Sequence, residues 1–222
     1  MTYSPTRRVW DVPTRLFHWL TVLLLALSWW TAENHDLEFH RYSGFALLGL
    51  LCFRLYWGFV GSTTARFSHF IRGPSRNWSY VRKLFACERH AAAPGHNPLG
   101  AWSVVILLLL LGAQIGLGLF AVDVDGIESG PLSAFVSFDA GRRCAELHET
   151  TFNTLLVFIA LHVLAMLFYW IVPRRNLIAS MIHGKARTDE IVDEPLMFAS
   201  LGRAAIGVLL AAAVVWLVAR VG

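Results

Sequence analysis

Four of the nine histidines in this chain are spaced as metal ligands would be. In ELHETTFNTLLVFIALHVLAM, residues 146–166, His148 and His162 stand fourteen positions apart within an apolar run. In a helix, ~100° per residue brings that separation back to within roughly 40° of the same face. The rise of ~1.5 Å per residue sets the two imidazoles about 21 Å apart along the axis. One helix would thus present two imidazoles in one direction at two heights, which is what holding two stacked haems requires. His18 and His40, in separate apolar runs, offer a partner at each height.

The elements that must carry these residues are membrane spans. Apolar residues make up 56% of the 222, charged residues 15%, and mean hydropathy is +0.53. That composition suits a protein integral to a bilayer rather than a soluble domain. Five runs approach the ~20 residues a spanning helix needs: Leu16 to Ala32, Tyr42 to Val60, Leu99 to Val122, Thr151 to Val172 and Leu201 to Val218. The first run lacks a small-residue cleavage site and ends in Trp29-Trp30, so it reads as a span rather than a signal peptide.

Charge gives the orientation. The net charge of +4 does not mark a nucleic-acid binder, because the basic residues sit between the apolar runs. Residues 1–15 carry +2, 31–41 carry −2, 61–98 carry +5 and 123–147 carry −3, while Arg174 and Arg175 follow the fourth run. The alternation predicts a cytoplasmic N-terminus and, after five spans, a periplasmic C-terminus. The acidic outer connection 123–147, with an amphipathic piece near Pro131 to Phe138, reads as a surface segment suited to docking. The basic inner loop, with Trp78, Tyr80 and Phe85, would lie along the headgroups.

On this topology His18 and His162 lie toward the inside, and His40 and His148 toward the outside. The depth-matched pairs are therefore His18 with His162, and His40 with His148. Zinc would gather three or four ligands at one point, whereas each layer here offers two. Two imidazoles from opposite sides suit a six-coordinate b-type haem, and Cys52, Cys87 and Cys144 form no CxxCH for covalent attachment.

Neighbouring residues fit this arrangement. Gly44, four after His40, would let a flat macrocycle approach the helix. Arg54, fourteen after His40, falls on the same face, where either a propionate of the inner haem or the inner headgroups could take its charge. Arg41 stands beside His40 to do the same for the outer haem. Gly112 and Gly116 form a GxxxG pattern that reads first as a helix-packing device. His35, His69, His90, His96 and His183 fall in loops and are expected to be solvated.

The segments VWDVPTRLFHW around His18, FHRYSGF around His40, FRLYWGFVGSTTARF from Phe53, and LHETTFN with ALHVLAM resemble the signatures of the b-type cytochrome subunit of bacterial Ni,Fe-hydrogenases and the related prokaryotic cytochrome b561 family. The resemblance runs from about residue 9 to residue 183. It implies an all-α integral membrane protein with a four-helix bundle over residues 1–183 that binds two haem b groups, with the family's ligands falling on His18, His40, His148 and His162. Residues 184–222, a linker and a fifth span, depart from the four-helix pattern. The implied function is electron transfer in the bacterial inner membrane between a periplasmic redox partner, a hydrogenase small subunit or a cytochrome c, and the quinone pool. A homodimer is compatible with it. His96, in GHNPLG just before the third span, is kept from its position as a candidate for quinone contact or proton relay. The alternatives are a stand-alone superoxide:quinone oxidoreductase and a haem-free anchor or transporter.

Overall fold

The computed structural model describes residues 6–71, 95–96, 98–125, 128–172, 174–188 and 195–221. Among the described residues five helices are long and apolar enough to cross a membrane: α1 Val12–Glu33, α2 Leu37–Val60, α4 Pro98–Phe120, α5 Phe138–Ile171 and α7 Leu201–Ala219. Between and beside them lie the short helices α3 Phe67–Phe70 and α6 Leu177–His183 and the strands β1 Thr6–Arg8 and β2 Lys185–Arg187. Large apolar side chains lie exposed along the long helices, such as Leu109, Leu164 and Leu209. A soluble protein avoids such surfaces, whereas lipid covers them at no cost.

The chain forms two compact units. The first comprises Met1–Leu16, Tyr56–Ile106 and Ile159–Ala204; the second comprises Phe17–Leu55, Leu107–Phe158 and Ala205–Gly222.

Polar bonds tie the first unit together. Asp11, only 3% exposed, accepts the Thr14 backbone N–H at 2.8 Å and the Trp57 indole N–H at 3.0 Å. The first bond satisfies one of the otherwise unpaired N–H groups at the start of α1, so the helix begins at Val12, four residues before the hydropathy-defined span. Thr64 donates its hydroxyl to the Val9 carbonyl at 2.8 Å. β1 and β2 pair antiparallel, with Arg7 opposite Ala186. The ribbon continues into Gly184, whose carbonyl accepts from Val9 N at 2.8 Å and Trp10 N at 3.1 Å. Gly184 ends α6 at φ +80°, and a Cβ there would stand 2.9 Å from the Trp10 carbonyl, so both backbone angle and space require glycine.

The second unit is packed by hydrocarbon. Leu47, Leu48 and Leu51 of α2 meet Leu111 and Ile115 of α4, with Leu24 and Leu25 of α1 and Val215 and Val218 of α7 against them. The fifth long helix therefore packs on the bundle: a Cβ on Gly49 would stand 3.3 Å from Val215 Cγ2. α1 and α2 form a hairpin whose turn carries His35 at φ 57° and whose next helix is capped by Asp36.

Two elements differ from expectation. α5 begins at Phe138, and at ~1.5 Å per residue its 34 residues reach about 51 Å, well beyond a hydrocarbon layer of ~30 Å. The amphipathic piece expected at Pro131 to Phe138 is only a 3-10 turn at Ser133–Phe135, after which Ser137 accepts from the Ala140 N–H at the head of α5. The inner-loop aromatics Trp78, Tyr80 and Phe85, with His90 and Cys87, lie outside the described residues.

Candidate functional site

In the second unit, the α1–α2 hairpin brings the Ser28 carbonyl to His40 Nδ1 at 2.9 Å, with the Ser28 hydroxyl 3.2 Å from the same nitrogen. On α5, His148 Nδ1 lies 2.8 Å from the Gln114 carbonyl of α4. A carbonyl only accepts, so Nδ1 carries the proton in both rings and Nε2 keeps its lone pair. Each imidazole is thereby fixed in the tautomer that can bind a metal through Nε2.

The two rings stand edge-on to each other, with centroids 6.1 Å apart and planes at 83°. Metal–nitrogen bonds of ~2 Å plus a ring radius of ~1 Å on each side place two imidazoles on one metal about 6 Å apart, centroid to centroid. Both line a cavity of about 430 Å³, within the range of cofactor pockets. Among the described residues no group of three or more His, Cys, Asp or Glu could hold a bare metal ion. Two imidazoles suffice when a porphyrin supplies the other four ligands, so the residues fit haem.

Gly44 lines the cavity and has nothing within 4 Å of where its Cβ would be. Among the described residues Arg41 is the one Lys or Arg on the cavity wall, exposed and next to His40, and it shares that wall with Glu33, Asp123, Glu128 and Glu149. Sequence reasoning missed Gly118. A Cβ there would lie 2.8 Å from His148 Cε1, so its absence is what lets the ring sit against α4. The GxxxG pattern drew attention to Gly112 and Gly116 instead. A Cβ at Gly112 would make an ordinary 3.8 Å contact with Leu51, and one at Gly116 would meet nothing within 4 Å, so neither marks a close helix approach in this chain. Gln114 was also missed: its carboxamide Nε2 lies 3.0 Å from His148 Nε2.

His162 belongs to the first unit, half-buried, with Ser103 Oγ 3.3 Å from its Nδ1. His18 belongs to the second, half-buried, its ring edge-on to Trp19. Arg54, also in the second unit, is 2% exposed, with its guanidinium carbon 6.0 Å from the centre of the Phe17 ring. Protein encloses it rather than headgroups. Of the loop histidines, His35 and His183 are exposed as expected, but His69 and His96 are half-buried. His96 packs between Trp10 and Phe70, at centroid distances of 4.7 and 4.4 Å.

Membrane-spanning helices that present paired, tautomer-fixed imidazoles to a cofactor-sized cavity define a membrane haem protein. The chain belongs to the prokaryotic cytochrome b561 family, whose pattern matches residues 9–184. It is 26% identical over 208 residues, 79% of this chain and 86% of the relative, to a probable Ni/Fe-hydrogenase B-type cytochrome subunit of Azotobacter chroococcum mcd 1. A protein of the same name from Rhizobium leguminosarum bv. viciae is 25% identical over 209 residues, 80% of this chain and 87% of that one. The counterpart in Azotobacter vinelandii is 26% identical over 208 residues, again 79% of this chain and 86% of the relative. No solved structure matches the chain. The protein is thus a multi-pass membrane b-type cytochrome, which implies haem b and electron transfer.

Proposed function

We propose that this cytochrome carries two haem b groups and moves electrons across the bacterial inner membrane, between a donor docked on its periplasmic side and the quinone pool. His40 and His148 would hold the outer haem, His18 and His162 the inner. The observation that carries the reading is the ring pair at 6.1 Å with both Nδ1 protons on main-chain carbonyls. Each bond holds its ring in the tautomer whose Nε2 can bind a metal.

Bound haem supplies reversible one-electron chemistry. The chain's part would be to hold the group through His40 and His148, fixed in the tautomer that binds metal, and to exclude water with the mostly apolar wall of the cavity. Two haems at two depths let charge cross a medium in which a free ion is very costly. Arg41 would neutralise a propionate of the outer haem and Arg54 one of the inner, while Gly44 gives clearance. The loop charges favour a cytoplasmic N-terminus and a periplasmic C-terminus.

The named relatives make a hydrogenase small subunit the first donor to test, with a cytochrome c as the next and a homodimer compatible with either. The basic inner loops favour quinone reaction beside the inner haem. In purified protein, haem extraction should give two haems per chain. His162→Ala should retain one, still reducible by the donor but no longer reoxidised by quinone. One haem in the wild-type chain would remove the two-haem reading, and unchanged quinone kinetics in His162→Ala would remove the assignment of the quinone to the inner side.

A further inference from the structure

Gln114 holds His148 twice. Its carbonyl takes the Nδ1 proton at 2.8 Å, and its side-chain amide lies 3.0 Å from Nε2. Because Nδ1 carries the ring proton, Nε2 has only a lone pair, so the carboxamide N–H must be the donor. Gln114 is 8% exposed and lines the cavity, and among the described residues its buried Oε1 has no hydrogen-bond partner. The carboxamide thus makes one bond, to the nitrogen through which His148 would bind iron.

We propose that Gln114 is a positioning residue that competes with iron for His148. The carbonyl orients the ring for coordination, while the carboxamide occupies the same lone pair and limits how tightly the outer haem is held. Coordination and the 3.0 Å bond exclude each other, since one lone pair serves one partner. Binding through His148 leaves a buried amide that has lost its bond, a cost not incurred by an apolar side chain of similar size. The main-chain carbonyl is unaffected by substitution. This rests on the haem reading of the cavity.

The test is transfer of haem from the full-length protein in detergent to excess haem-free globin, in the wild type, Gln114→Leu and Gln114→Met. Both variants should keep two haems per chain and hold the outer one at least about fivefold more tightly, as expected for a hydrogen bond no longer lost on binding. The inner haem, unchanged, is the internal control. A merely damaged wall would loosen the outer haem, so the sign separates competition from lost packing. Equal or weaker retention in both variants overturns the role of Gln114 alone. A wild-type chain with no haem on His148 overturns the reading of the cavity and this proposal with it.

Discussion

The two units are held by different chemistry, although each carries part of the family's signature. In the first, the stretch before His18 is a structural knot: Asp11 caps α1 and bonds Trp57, Val9 accepts from Thr64, and Gly184 binds two successive N–H groups. In the second, leucines and an isoleucine supply the core cluster, and two imidazoles held on main-chain carbonyls line the cavity, with Thr31, Ser43, Arg54 and Gln114 also buried. Lipid tails are as apolar as leucine, so van der Waals fit rather than water exclusion holds the second unit. A recurring motif can therefore fix fold and cofactor with different residues of the same few positions.

If that division is right, damage should separate. Gly118→Ala has the largest expected effect: the new methyl displaces the His148 ring, and haem extraction should give one haem per chain instead of two. The helix itself should not suffer, because alanine in a helix interior is favoured over glycine by ~1 kcal/mol. A Gly118→Ala protein with both haems would blur the comparison.

Asp11→Ala should do the opposite, keeping the His40–His148 site while lowering stability by roughly 2–4 kcal/mol through a lost cap and an unpaired buried indole N–H. Thermal unfolding in detergent measures it, and Asp11→Asn, which keeps an acceptor, should lose less. Arg41→Gln has the smallest expected effect. Removing a cation beside the outer haem disfavours the reduced form, so the midpoint potential should fall by a few tens of millivolts, consistent with up to ~1 kcal/mol for an exposed charge pair. Redox titration reads it, and a rise would place Arg41 elsewhere.

The spans and histidines were legible because hydropathy and residue type carry them directly. Partners of the histidines were not, because main-chain carbonyls such as those of Ser28 and Gln114 leave no mark on the sequence. The polar first turns of α5, from Phe138, escaped a hydropathy reading although nothing there breaks a helix. Asp11 with Thr14 three residues on was a readable cap, overshadowed by the greasy run behind it. Gly118 was hidden by the more familiar Gly112 and Gly116 spacing. The ribbon β1–β2 joins segments nearly the length of the chain apart, which no local pattern announces.

The most direct check on the pairing is a haem count in His40→Ala, His148→Ala and the double variant. If both imidazoles close on one iron, each single substitution removes one haem of two and the double removes no more. Loss of both haems in the double variant, or of neither in the singles, contradicts the shared site.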